Sequence, residues 1–235
     1  MNSPSRRDFL AASAFGLIGL ARGSVRPAVH DEVQMDGDLL YVGTYTEGTR
    51  SDGINLVRMD RHTGQLRQVG SAHAGANPSF LAIHPNRRVL YAVNELEQYQ
   101  GRATGAVSAF AIEGDTGVLT RLNEQPSEGG APCFVSVDRS GRVVLVANYA
   151  GGSVALLPIQ ESGALAPAAQ VVQHTGKGPN LERQKAPHAH CIVPDPSNRF
   201  ALAADLGADR VFVYRLELEG KSLRHVEGGD AGMRP

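Results

Sequence analysis

The chain has 235 residues, with 23 Lys+Arg against 24 Asp+Glu, a formal net charge of -1, 42% apolar residues, 27 Gly, 13 Pro and 2 Cys. That much apolar content, with so many turn-forming residues, excludes a largely disordered chain, and the near-neutral balance excludes a general nucleic-acid binder held by a basic field. Two cysteines, Cys133 and Cys191, are too few for a disulfide framework or a four-ligand zinc site, and leave a free-thiol or single-bridge reading open.

The first residues, Ser5-Arg6-Arg7-Asp8-Phe9-Leu10, set two arginines before an apolar stretch, Phe9 to Ala21, that is too short to span a membrane. This layout resembles the twin-arginine export signal of bacteria. The expectation is a signal peptide over 1–23, a linker over 24–35 and a mature region over 36–235. The mature region would have no stable membrane association. Passage through the twin-arginine translocase implies a periplasmic or secreted location.

Three segments then align without gaps: Ser79 to Asn94, Cys133 to Asn148 and His190 to Asp205. A shorter copy precedes them at Leu39-Leu-Tyr-Val-Gly-Thr44. Each full copy is two short apolar runs around a polar turn, a hairpin signature. A second marker follows each copy: Thr63-Gly-Gln-Leu66, Thr116-Gly-Val-Leu119, Ser162-Gly-Ala-Leu165 and Gly220-Lys-Ser-Leu223. A period near 50 residues with four strands per repeat predicts an all-β fold, a β-propeller of four-stranded antiparallel blades. In the second repeat the strands are placed at Phe80–His84, Val89–Asn94, Ala106–Ile112 and from near Leu119.

Strand parity puts the tight turns on one face and the chemistry on the other. There the second strands end in Thr44, Asn94, Asn148 and Asp205, and the longest connection, His174 to His190, carries three His, one Arg, one Asn and one Gln. His190 takes the position of Ser79 and Cys133 at the head of a first strand and is expected to point at the channel mouth. Cys133 and Cys191 are expected to be buried small hydrophobes. His62, His73, His84, His174 and His225 are expected in turns or loops without a catalytic role, and Asp209-Arg210 as a surface pair.

The string Gly178-Pro-Asn-Leu-Glu-Arg-Gln-Lys-Ala-Pro-His-Ala-His190 resembles a motif of the bacterial lactonase family, typified by the propeller-type 6-phosphogluconolactonase and related to the carboxymuconate lactonizing enzyme. Tyr41-Val-Gly-Thr-Tyr45, Asn77-Pro-Ser, Tyr91-Ala-Val-Asn-Glu95, Ala147-Asn-Tyr-Ala-Gly-Gly-Ser153 and Asp205-Leu-Gly-Ala-Asp-Arg210 support it. The resemblance implies a seven-bladed propeller, a cofactor-independent cleft at the channel mouth, and hydrolysis or reversible cyclisation of a small-molecule lactone.

Lactone hydrolysis needs a base for water, a donor for the oxyanion and polar groups for the ring. His190 is the candidate base, with His188 beside it, Arg183 as the planar cationic donor and Glu95 as an orienting or second acid/base group. Asn94, Asn148, Tyr149, Asn180, Gln184 and Asp205 are candidate hydroxyl binders; for the strand-end residues the structural alternative is capping of backbone groups. A metal set of His188, His190, Glu95 and Asp205 lacks ligand spacing, so no metal is expected. The competing functions are a cycloisomerase on carboxymuconate-like acids, and a non-catalytic binding platform.

Length bears on this. At 50 to 57 residues per repeat, 36–235 holds about four blades, whereas seven need about 350 residues. The expectation is a C-terminally truncated propeller whose tail from Gly228 begins the connection to a further blade.

Overall fold

The computed structural model describes Gly37 to Gly232. The expected signal peptide and linker lie outside the described residues. All regular structure among the described residues is strand, so no helix there is long and apolar enough to cross a membrane.

The first sheet holds β1 (Gly37–Gly43), β2 (Gly53–Asp60) and β3 (Leu66–His73). The second is β4 (Leu81–Ile83), β5 (Val89–Asn94), β6 (Ala106–Ile112) and β7 (Leu119–Pro126). The third is β8 (Pro132–Val137), β9 (Val143–Asn148), β10 (Ser153–Pro158) and β11 (Gln170–Gln173). The fourth is β12 (Ala189–Pro194), β13 (Phe200–Asp205), β14 (Arg210–Glu217) and β15 (Ser222–His225), with β16 (Ala231–Gly232) also on β14. Every pairing is antiparallel between chain neighbours except β14–β16. This is the blade meander that the repeat predicts.

Three details differ from expectation. The first strand of the second sheet is only Leu81–Ile83, because Asn77, with φ of 47°, and Pro78 shape the chain just before it. The first sheet has three described strands, with Leu39 to Gly43 in the role of a second strand. The tail does not leave the fourth sheet at Gly228: Ala231 and Gly232 pair with Val211 and Arg210, so β16 resumes the outer edge after a break at Val226–Asp230.

The continuous apolar runs of β5 and β9 are explained by burial on both faces. Alternate side chains along a strand point to opposite sides. Leu90 and Ala92 therefore pack toward the first sheet with Ile54 and Phe110, while Val89, Tyr91 and Val93 pack toward the third sheet with Val144 and Val146. Val143, Leu145 and Ala147 face the fourth sheet with Ile192, Ala203 and Tyr214.

Polar clasps register the blades. Tyr41 and Tyr91, at equivalent positions, donate their hydroxyls to Gly117 O (2.8 Å) and Gly163 O (2.9 Å), each in the marker turn of the next sheet. Asn123 and Gln170, on outer strands, grip the backbone of Leu165 and Leu223 through both the carbonyl and the N–H. The marker turn and its closing leucine are thus a docking point as well as a turn.

Candidate active site

The polar residues that end the second strands brace the incoming chain. Asn94 Nδ2 donates to Ala74 O (2.8 Å) and Ala76 O (2.9 Å), and Asn148 Nδ2 donates to Ser127 O (3.1 Å). Asp205 does the same job as a carboxylate. Its Oδ2 meets His174 Nδ1 at 2.6 Å, and its Oδ1 accepts the N–H of His188 (2.7 Å) and of Ala208 (2.8 Å). All three braces are buried, so the hydroxyl-binding role expected of Asn94, Asn148 and Asp205 gives way to backbone satisfaction.

The same correction applies to the buried Gln184, whereas Asn180 is exposed and engages only its Oδ1. Asn180 Oδ1 accepts the N–H of Glu182 and Arg183, shaping the turn that carries the arginine. Gln184 Oε1 accepts from Asn180 N, and its Nε2 donates to Leu206 O (2.8 Å) and Asp209 Oδ1 (3.2 Å). The connection 174–190 is thereby pinned to the turn 205–209. Asp209, expected as half of a surface pair, is one of the pins.

Two glycines let the connection lie close. Gly207 passes so near Ala186 O that a Cβ would collide with it, and Gly152, at φ of 60°, would bring a Cβ to 2.5 Å from Pro187 O. His188 is fixed in consequence. Its Nδ1 lies 3.0 Å from Tyr149 O, an acceptor only, so Nδ1 carries a proton and donates it there. Its ring stacks on Tyr149, with centroids 4.6 Å apart.

In front of this support lies a cleft of about 360 Å³. Ser79, Cys133 and His190 line it from the heads of three successive first strands, as their shared register requires. Tyr45, Glu95 and Tyr149 line it from the segments that follow three second strands, and Arg183 reaches in from the long connection. Phe80 forms an apolar wall, its ring 4.3 Å from Phe134. Arg183 Nη2 lies 3.3 Å from Tyr149 OH, and the exposed His190 ring stands edge-on to Tyr149 at 5.7 Å. Of the residues singled out in the sequence, His190, Arg183, Glu95 and Tyr149 meet in the cleft, and His188 stands behind Tyr149.

Tyr45 and Ser79 were missed as site residues, although both lie in motifs already quoted. Both hydroxyls donate to Glu95 Oε2, Tyr45 at 2.9 Å. Burial, and then the neighbouring Glu95 carboxylate, push the Tyr45 phenol above its ordinary value and keep it a donor. Asn77 holds this group together: its Oδ1 accepts Thr46 N and Glu47 N, and its carbonyl accepts Glu95 N at 3.0 Å.

Cys133 is half-buried and lines the cleft, a correction to the expected buried hydrophobe; its thiol is pushed up to about 12 by burial and then by Glu95. Both cysteines are free. His174, expected in a loop without a role, is the fully buried partner of Asp205, packed 4.0 Å from the Phe212 ring. Among the described residues no group of three or more His, Cys, Asp or Glu side chains is arranged to hold a metal.

The comparisons with known proteins agree with this architecture. A family model described as lactonase, 7-bladed beta-propeller, matches residues 39–232. The chain is 38% identical over 177 residues to the 6-phosphogluconolactonase of Bacillus subtilis, covering 75% of this chain and 49% of that protein. It is 26% identical over 192 residues to the 6-phosphogluconolactonase of Formosa agariphila, covering 82% of this chain and 54% of that protein. The structure of the periplasmic gluconolactonase of Pseudomonas aeruginosa superposes with a TM-score of 0.75 at 35% identity, covering 84% of this chain and 55% of that one. The chain thus spans about half the length of these relatives. With a family model matched over 39–232, nearly all of the described residues, the chain belongs to the lactonase family of seven-bladed β-propellers.

Proposed function

We propose that this chain carries the substrate cleft of an exported lactone hydrolase, 6-phosphogluconolactonase-like in chemistry, that opens a sugar-derived or other small lactone. The observation that carries the reading is the convergence of His190, Arg183, Glu95 and Tyr149 on one cleft. His190 takes a proton from water as the water oxygen adds to the lactone carbonyl. Arg183 donates to the oxyanion that forms. The ring C–O bond then breaks, the departing oxygen takes up a proton, and the product is the hydroxy acid. His188, with Nδ1–H held by Tyr149 O, keeps the Tyr149 ring in place.

A twin-arginine leader at Arg6-Arg7 favours an unphosphorylated substrate met outside the cytoplasm, after passage through the translocase. The Pseudomonas aeruginosa relative, described as a periplasmic gluconolactonase, supports the same location. The cycloisomerase alternative wants several cations converging on two carboxylates, and the described cleft offers Arg183 alone.

The test is acid release from a panel of lactones by the full chain and by His190→Ala. Turnover by the wild type, with a loss of at least about a hundredfold in the variant, supports the assignment. A fully active variant overturns the role of His190, and a wild type that turns over none of the panel overturns the hydrolase reading.

A further inference from the structure

We propose that Tyr45, Ser79 and Glu95 form a ring-hydroxyl recognition subsite that selects a neutral polyhydroxylated lactone over an unsubstituted one. The inference rests on the lactone reading above and narrows its substrate class. It also removes Glu95 from the acid/base role and makes it a specificity determinant.

The geometry starts from two donors that come from different sheets yet meet one oxygen. Tyr45 follows β1 of the first sheet and Ser79 precedes β4 of the second, and both hydroxyls point their protons at Glu95 Oε2. Asn77 fixes the backbone on either side, through Thr46 and Glu47 on one sheet and Glu95 on the other. The carboxylate is therefore held in one orientation before any ligand arrives. Among the described residues its second oxygen, Oε1, has no hydrogen-bond partner and no Lys, Arg or His nitrogen lies within ion-pair distance of the carboxylate.

A carboxylate oxygen that accepts two hydroxyl protons on its partner atom is an acceptor itself, so a neutral ligand that completes Oε1 must bring a proton. A sugar hydroxyl does so. A phosphate or a second carboxylate is repelled. Nor does the arrangement suit a mobile proton carrier, because two donors already hold the group and neither Tyr45 nor Ser79 is placed as a base for it. The apolar Phe80 wall beside Ser79 suits the carbon face of a ring whose hydroxyls are read at the edge. Arg183 meets Tyr149 OH at 3.3 Å and, among the described residues, makes no ion pair with Glu95, so the oxyanion donor and the hydroxyl acceptor are not spent on one another. Tyr45 and Ser79 are positioning residues in this scheme, since they act through the carboxylate.

The experiment compares kcat/KM for a tetrahydroxylated δ-lactone and for the unsubstituted δ-lactone in the wild-type chain, Glu95→Gln, Ser79→Ala and Tyr45→Phe. Binding of the corresponding neutral polyhydroxy δ-lactam, which resists hydrolysis, is measured by calorimetry on the same proteins. Glu95→Gln is expected to lower the hydroxylated-to-unsubstituted ratio by about tenfold to a hundredfold and to weaken the lactam by a similar factor, the scale of a hydrogen bond to a charged acceptor. The two hydroxyl variants should lower the ratio by about threefold to tenfold each, without loss of a limb in the pH profile. An equal fall for both substrates with loss of one limb makes Glu95 an acid/base group and overturns the proposal. Lactam binding that ignores Glu95→Gln, or that is absent from the folded wild type, overturns it too. A wild type that binds the lactam through Glu95 but turns over no lactone keeps the subsite and removes the hydrolase reading, so the two failures are separable. If Glu95→Gln does not fold, Ser79→Ala and Tyr45→Phe decide the matter by the same ratio and the same binding measurement.

Discussion

Replacing Asp205 by Asn tests the brace beneath the histidine-bearing connection. The side chain is fully buried, with one oxygen serving two backbone N–H groups and the other facing His174 Nδ1 at 2.6 Å. Asparagine retains one acceptor for the backbone pair and presents an NH2 group to the imidazole. His174 must then move its proton to Nε2, which has no partner in its buried surroundings. The loss is a charge-assisted hydrogen bond plus a stranded donor, about 2 to 3 kcal/mol. Asp205→Ala strands the N–H groups of His188 and Ala208 as well, and should cost at least about 4 kcal/mol, a large share of the 5 to 15 kcal/mol typical of a folded domain. Urea denaturation of the full chain at neutral pH is the assay. Burial disfavours the ionised form of Asp205, but the hydrogen bonds from His174, Ala208 and His188 outweigh it and hold the carboxyl below its usual 3.8. A depressed folded value means that the ionised carboxylate stabilises the fold above about pH 4 and ceases to as the pH falls through that lower value. The gap between wild type and Asp205→Asn should therefore narrow in acid. A difference under about 0.5 kcal/mol at neutral pH, or a gap that widens in acid, would refute the reasoning.

Three further outcomes follow from features already described. Cys133, with its thiol pushed up to about 12, should react with iodoacetamide at neutral pH at least about tenfold more slowly than an ordinary free thiol, checked by mass spectrometry of the native chain. Gly207→Ala should displace Ala186 and with it the backbone before His188, costing about 2 to 4 kcal/mol in urea unfolding and loosening the connection to proteolysis; an unchanged midpoint would show that the contact yields freely. Tyr91→Phe should leave Gly163 O without its buried donor and cost about 1 kcal/mol, whereas the same change at the exposed Tyr45 should leave the free energy of unfolding in urea within about 0.5 kcal/mol of wild type.

Much of the fold was legible because the repeat is written in apolar runs. Val89–Asn94 and Ala106–Ile112 are strands over the residues expected, since burial on both faces demands uninterrupted apolar sequence. The shared position of Ser79, Cys133 and His190 followed from the same alignment, and all three reach the cleft. What the sequence could not disclose was the destination of polar atoms. Asn94, Asn148 and Asp205 carry the side chains a sugar site would use, but their partners are Ala74, Ser127 and His174, each from 20 to 31 residues away. His174 was passed over for the same reason, because a histidine in a connection looks solvated until its carboxylate is found. Tyr45 and Ser79 went unassigned because Glu95 joins them only once two sheets are side by side.

The cleft takes its lining from equivalent places in successive blades, at the heads of first strands and just past the ends of second strands. Those places lie outside the buried apolar clusters of the blades. A substitution there alters what the cleft recognises without entering the buried apolar clusters between blades. A lineage could thus move from one lactone to another through single changes at register-related positions, each tried on an intact scaffold. The copies within one chain also display the options: serine, cysteine and histidine occupy the same post, as do tyrosine and glutamate. Equivalent posts filled by different residues give the cleft distinct sides.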